Sequence, residues 1–187
     1  MRIPTAVSFA FFSLTLISPG FLFAQETVPE LVGPLTQDDI LAALPDWHDR
    51  MVSYEAGYAA IAALKDIPDA VQVEVYLGSW CSDSAAHVPA FFQVLNLVNS
   101  PRFDVSCMGV PRAQEDRLPY IAGKAIEKLP TFIIYVNGLE KGRVVETPSL
   151  TIEEDLLAIL RSSDAAEGRR RQESLFPLLR PEQDDRG

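Results

Sequence analysis

Cysteine and histidine are scarce in this chain, whose 187 residues hold two of each. That excludes a disulfide-dense scaffold and a four-cysteine zinc site. With only His48 and His87 beside Cys81 and Cys107, no protein-only metal site is expected, and no residue pattern asks for a cofactor. Positive charge is also in short supply: 16 Lys and Arg stand against 26 Asp and Glu, a formal net charge of −10. A nucleic-acid binder needs clustered cations to release counterions from phosphates, so that class is excluded. Arg169 to Arg171 are too few, and too close to acids, to reverse the balance. No internal repeat is present. The length suits one core with extensions.

The first 24 residues do not read as part of the fold. Arg2 is their only charged side chain, and an apolar stretch runs from Ala6 to Ile17 before Ser18-Pro19-Gly20 breaks it. Phe23-Ala24 then precedes the polar Gln25-Glu26. A positive start, an apolar middle and a small residue at the exit predict a secretory signal cleaved near Ala24. Pro19-Gly20 cuts the run short of a membrane span, so none is expected after cleavage. The mature chain is then periplasmic or secreted, where thiols meet an oxidising or externally controlled environment.

Residues 25–35, with Pro29, Gly33 and Pro34, read as an unstructured lead-in. Thr36-Gln37-Asp38-Asp39 predicts a capped helix start, and the helix stops by Pro45. A longer second helix, capped by Asp46, is expected to carry Trp47, Met51, Tyr54, Tyr58 and Ile61 on one buried face up to Pro68. Residues 36–70 thus form a helical extension. Val71 to Leu77 is a β-branched strand. Ser82 to Asn99 reads as a helix containing Pro89, and Phe103 to Val110 as a second strand. A short helix is expected within 119–127. Thr131 to Val136 and Arg143 to Glu146 form two strands joined through Asn137-Gly138, a pair that tolerates the positive φ angles of a tight hairpin. Thr151-Ile152-Glu153-Glu154 is a capping-box pattern that opens a last helix. The order predicts an α/β domain over 71–161, a mixed sheet with helices on both faces. The tail, 162–187, is charged and expected to be mostly disordered, apart from the apolar cluster Leu175 to Leu179.

The chemistry centres on Ser79-Trp80-Cys81-Ser82-Asp83-Ser84, where a strand hands over to a helix. A helix N-terminus presents unpaired N–H groups and partial positive charge, and both favour thiolate over thiol. Ser84 is expected to turn back and donate its hydroxyl hydrogen to the Cys81 sulfur, but it cannot resolve a mixed disulfide. Asp83 complements the helix end and opposes the thiolate, two effects of opposite sign. His87, six residues on, falls on the far side of the helix and reads as a packing or surface residue. Cys107, inside an apolar strand, reads as a buried, inert thiol. The sharper alternative makes it a resolving cysteine for Cys81, which close approach of the two Cα atoms, within ~7 Å, would require.

Trp80-Cys81-Ser82-Asp83-Ser84 after a strand resembles the Trp-Cys-x-x-Cys signature of the thioredoxin-like superfamily. Pro89 stands at the place of that family's helix-kinking proline. Leu129-Pro130-Thr131 looks like its cis-proline loop, and Asn137-Gly138 occupies the turn of its terminal hairpin. The resemblance spans residues 71–161, and the serine at the second position is similar to a branch of exported bacterial thioredoxin-like proteins. It implies a thioredoxin-like fold and thiol–disulfide exchange through Cys81 and Ser84, acting on protein or small-molecule thiols and disulfides. Trp80, Leu129, Pro130 and Thr131 would then hold the partner chain. The departures are Ser84 in place of a second cysteine and Val75 in place of the family's buried acid. Neighbouring Glu74 points to the opposite sheet face. Three functions follow: a monothiol reductase or isomerase-like protein, a non-catalytic binding module of the same fold, or a dithiol oxidoreductase using Cys81 and Cys107.

Overall fold

The computed structural model describes residues 28–162. The expected signal segment and the apolar cluster of the tail lie outside the described residues. Five strands form one sheet in the order β1-β3-β2-β4-β5: β1 (Gly33–Leu35), β2 (Val71–Leu77), β3 (Phe103–Gly109), β4 (Thr131–Val136) and β5 (Leu139–Val145). β2 and β3 are parallel, and every other neighbouring pair is antiparallel, so the sheet is mixed. At the β4–β5 turn Asn137 and Gly138 take φ of 52° and 78°, as their types predicted.

Side chains alternate along a strand, and the sheet's two faces differ sharply here. Val71, Val73, Val75 and Leu77 join Phe132, Ile134 and Val136 in the large core. Covering that face are α1 (Gln37–Ala43), α2 (Pro45–Ser53), α3 (Tyr58–Lys65), α4 (Ser82–Val98) and α6 (152–162). Tyr76, Ile133 and Tyr135 face the other way, toward a smaller cluster beneath the segment 110–130, which carries only the one-turn α5 (Leu118–Ile121). The helices flank the sheet unequally.

Two expectations for the N-terminal part are corrected. Residues 33–35 are not unstructured: they pair as β1 with Gly109, Met108 and Cys107 of β3. Pro34 is acceptable there because an edge strand needs no N–H on its outer side. The approach is close enough that a Cβ on Gly109 would lie 2.4 Å from the Leu31 carbonyl oxygen. The long second helix is also two helices, α2 and α3, with a break between Ser53 and Tyr58. Leu44, not Asp46, stands at the N-cap of α2 and supplies no side-chain cap, and Pro45 opens the helix at a position where its missing N–H costs nothing. Trp47, Met51 and Ile61 are buried as expected, whereas Tyr58 is exposed.

The break is held by a residue distant in sequence. Glu153 is 1% exposed, accepts from the Tyr54 hydroxyl at 2.8 Å and accepts from the Gly57 N–H at 2.8 Å. The carboxylate satisfies the backbone where the helical ladder is interrupted and anchors the extension to α6. Thr151 caps α6 as read, its Oγ1 accepting from the Glu154 N–H at 3.3 Å.

Candidate functional site around Cys81

Strand β2 ends at Leu77, and the chain turns through Gly78, Ser79 and Trp80 into α4. The turn is closed by the Cys81 N–H donating to the Gly78 carbonyl at 3.0 Å. Gly78 is required because a Cβ there would lie 2.8 Å from the Trp80 ring. Cys81 is the N-cap of the 17-residue α4, with extended backbone and no side-chain cap. It is a free thiol, half-buried, at the positive end of that helix.

The sulfur's partner comes from across the sheet. Cys81 Sγ donates to the Leu129 carbonyl at 3.4 Å, and the Leu129–Pro130 peptide bond is cis. Ser84 does not make the expected contact. It is 0% exposed, and its Oγ accepts from the Gly78 N–H at 3.2 Å. One turn into α4, its side chain faces back beneath the strand end, so it braces the turn rather than the sulfur. Thr131 is also turned inward: its buried hydroxyl donates to the Lys128 carbonyl at 2.7 Å. The Pro130 carbonyl is taken by the Glu146 N–H at 2.7 Å. Of the Leu129-Pro130-Thr131 segment, only the Leu129 carbonyl is aimed at the thiol.

Trp80 is half-buried. Its Nε1 donates to the Val110 carbonyl at 2.9 Å, and the Arg117 and Arg112 guanidinium carbons lie 5.0 Å and 5.6 Å from its ring centre. Such stacking is cation–π attraction. Arg117 is fixed further by donating to the carbonyls of Pro111 and Arg112. Ser79 is buried and ties the N-terminal segment to the turn, donating to the Pro29 carbonyl at 2.7 Å and accepting from the Leu31 N–H at 3.0 Å.

Cys81 opens onto a groove of about 840 Å³. One wall is the turn itself, with Trp80 and Ala85. The other comes from the helical extension, with Leu44, Pro45, Trp47 and Arg50. A second hollow of about 380 Å³ lies behind Leu129, between Arg117 and Ile126.

Cys107 is placed differently. It belongs to the large core, pairs in register with Val75 and Leu35, and is a free thiol. Burial pushes its pKa up to about 12. Cys81 packs against the smaller cluster instead. Glu74 faces away from the core, as its strand position predicted, in an ion pair with Lys124 at 2.6 Å. It also accepts from the Tyr76 hydroxyl at 3.1 Å. Among the described residues no group of three or more His, Cys, Asp and Glu side chains is placed to hold a metal ion, and no helix is long and apolar enough to cross a membrane.

Sequence reasoning located Cys81, Trp80 and the Leu129–Thr131 loop. It gave Ser79 no role of its own, and it missed Arg112, Arg117 and the wall supplied by residues 43–50. Nothing local marks these residues; they matter only because folding brings them to one turn.

No protein-family model matches the chain, and no curated protein does. Among solved structures, a protein of unknown function from Pseudomonas aeruginosa is similar, with a TM-score of 0.50 at 19% identity over 66% of this chain and 85% of that one. An HIV epitope scaffold is more weakly similar, with a TM-score of 0.44 at 21% identity over 65% of this chain and 74% of that one. At that distance the first likeness speaks to the architecture alone, the α/β fold with its mixed five-stranded sheet.

Proposed function

We propose that this chain is an exported, thioredoxin-like thiol–disulfide exchange protein working through the single thiol of Cys81, in isomerase-like or monothiol-reductase fashion. The observation that carries the reading is the seat of that sulfur. It is free, half-buried at the N-cap of a long helix, and directed at the carbonyl before a cis-proline. The Trp80-Cys81-Ser82-Asp83-Ser84 motif and its resemblance support the same reading.

The chemistry is two exchanges. The Cys81 thiolate attacks one sulfur of a partner disulfide along the S–S axis. The new Cys81–partner bond forms as the old one breaks, and the expelled sulfur leaves as a thiolate that takes up a proton. In the isomerase-like course, another thiolate of the partner then attacks the partner's sulfur in the mixed disulfide. Cys81 is expelled as thiolate, and the partner's disulfide has moved with no net oxidation. In the reductase course, an external small thiol attacks the Cys81 sulfur and releases the partner as thiolate. A second such thiol restores Cys81, so two external thiols are oxidised to one disulfide for each partner disulfide reduced. In the hydrophobic turn the Leu129 carbonyl orients the sulfur, Ser84 holds the turn by accepting from Gly78, and Trp80 forms the rim.

The placement of Cys107 in the other cluster, with its raised pKa, weighs against a dithiol cycle with Cys81. The test is trapping. The purified protein should form a mixed disulfide with a disulfide-containing peptide, detected by mass spectrometry, and Cys81→Ser should abolish it. A wild-type Cys81 that resists both an alkylating agent and the peptide disulfide near neutral pH would leave the non-catalytic binding module standing. A Cys81–Cys107 bridge under oxidising conditions would instead establish the dithiol course.

A further inference from the structure

The groove beside Cys81 has more structure than a thiol needs. Its volume of about 840 Å³ is far larger than one cysteine side chain requires and falls in the range of sites that enclose sizeable ligands. Its floor and far wall are apolar, from Leu44, Pro45, Trp47 and Ala85, and its rim carries Arg50 and Arg112. Among the described residues neither guanidinium has a carboxylate within ion-pair distance.

One acid, Asp46, also lines the groove, but it pairs with neither arginine. Glu30 accepts from the backbone N–H of Arg112, not from its guanidinium. Asp46 and Asp83 sit in the first turns of α2 and α4, where they complement helix ends. Arg112 is held over Trp80 by stacking rather than by an anion, which leaves its N–H donors open to one.

We infer that the Cys81 groove selects a peptide partner whose cysteine is flanked by carboxylate side chains, with Arg50 and Arg112 as the recognising groups. The inference rests on the thiol reading above for the reaction, but the groove binds such a peptide whether or not the sulfur reacts. Apolar residues of the peptide lie against Leu44 and Trp47, and its acids meet the two arginines. The helical extension is then half of the binding site rather than an appendage.

The test uses the full chain and two peptides with a central cysteine activated as a thiopyridyl disulfide. Aspartates flank the cysteine in one and lysines in the other. The rate of thiopyridone release measures attack by the protein. The expected outcome is that the acidic peptide reacts about tenfold faster than the basic one at low salt. In ~1 M salt, where charges are screened within ~3 Å, the ratio should fall toward one. The direction is diagnostic, because a net charge of −10 would by itself steer the basic peptide in faster. In R50Q/R112Q the ratio should also fall to about one, and in R50K/R112K most of it should survive. A wild-type ratio of one or below overturns the inference. So does an unchanged ratio in R50Q/R112Q. Should that variant fail to fold, the wild-type ratio and its salt dependence decide.

If neither peptide reacts, the thiol reading fails on its own, and the groove is judged by binding alone. Both tryptophans of the chain, Trp47 and Trp80, line the groove, so intrinsic fluorescence reports binding of serine versions of the two peptides. Tighter binding of the acidic one sustains the inference, and equal or weaker binding overturns it.

Discussion

Cys81 and Cys107 share one side chain and differ in what surrounds it. Cys81 sits half-buried where a helix begins, and a carbonyl oxygen accepts its S–H. Cys107 sits inside the core, where burial disfavours the thiolate and pushes the pKa up to about 12. In the folded protein at pH 8, iodoacetamide should therefore modify Cys81 and spare Cys107, while in denaturant both should react. Peptide mass spectrometry reads the two sites separately, and equal labelling in the folded state would contradict the burial argument. Glu153 is the other residue whose surroundings decide its role. Removing its carboxylate leaves the half-buried Tyr54 hydroxyl and the Gly57 N–H without their acceptor. Glu153→Ala should cost about 1–3 kcal/mol in urea unfolding, the range for losing hydrogen bonds to a charged acceptor. Tyr54→Phe removes one bond and should cost about 1 kcal/mol. A Glu153→Ala variant as stable as wild type would show that the α2–α3 break needs no clamp.

At the scale of elements, two devices position the groove, one local and one long-range. The first is the capping box of α1: Thr36 Oγ1 accepts from the Asp39 N–H at 3.1 Å, and the Asp39 carboxylate accepts from the Thr36 N–H at 2.9 Å. The Thr36 hydroxyl, donating to the same carboxylate at 2.7 Å, and then the Thr36 N–H hold the Asp39 pKa below its ordinary 3.8. A depressed folded pKa contributes stability that is present above the unfolded value and lost as pH falls through the folded one. Capping should thus persist at neutral pH and fail below about pH 4, and Asp39→Asn should flatten the acid limb of a stability-against-pH curve. The second device is Ser79, the buried hydroxyl that joins residues 29–31 to the Cys81 turn. Ser79→Ala should cost about 1–2 kcal/mol. It should also speed hydrogen exchange at the Leu31 amide more than at amides of β4. Uniform acceleration across the sheet would instead mean that the segment is not held at Ser79.

For the whole molecule, the division of the sheet into two unlike faces sets the alkaline limit. The large core lies on one face, and the other carries a polar network of Glu74, Lys124, Tyr76 and Tyr135. Desolvation, then the Glu74 charge, pushes the Tyr76 pKa up from 10.0 to about 12. The hydrogen bond to Glu74 holds Lys124 above its ordinary value as well. Raised folded pKa values contribute stability that is complete below the unfolded values and lost as pH climbs through the folded ones. Cys107 has the same sign, over the interval from 9.0 to about 12. The protein should therefore be level in stability to about pH 9 and fall between pH 9 and 12. Tyr76→Phe should lessen the fall, as thermal melts at stepped pH would show. An unaltered alkaline limb in that variant would assign the loss to Cys107, Lys124 and Tyr54, whose pKa burial also raises.

Periodicity and local chemistry in the sequence were enough for β2, β4, the hairpin at Asn137-Gly138, the caps at Thr36 and Thr151, and the seat of Cys81 at a strand-to-helix turn. These depend on residues within a few positions of one another, and such interactions are written in order along the chain. The strand at Gly33–Leu35, the break before Tyr58 and the inward turn of Ser84 and Thr131 were not legible. The first two are decided by partners far away in sequence, β3 and Glu153, and the last two by short-range bonds to Gly78 and Lys128 whose direction is set by how the turns pack. The groove follows the same division. Its sulfur belongs to a motif, but its opposite wall and its two unpaired arginines exist only because the fold sets residues 43–50 and 112 beside residue 81.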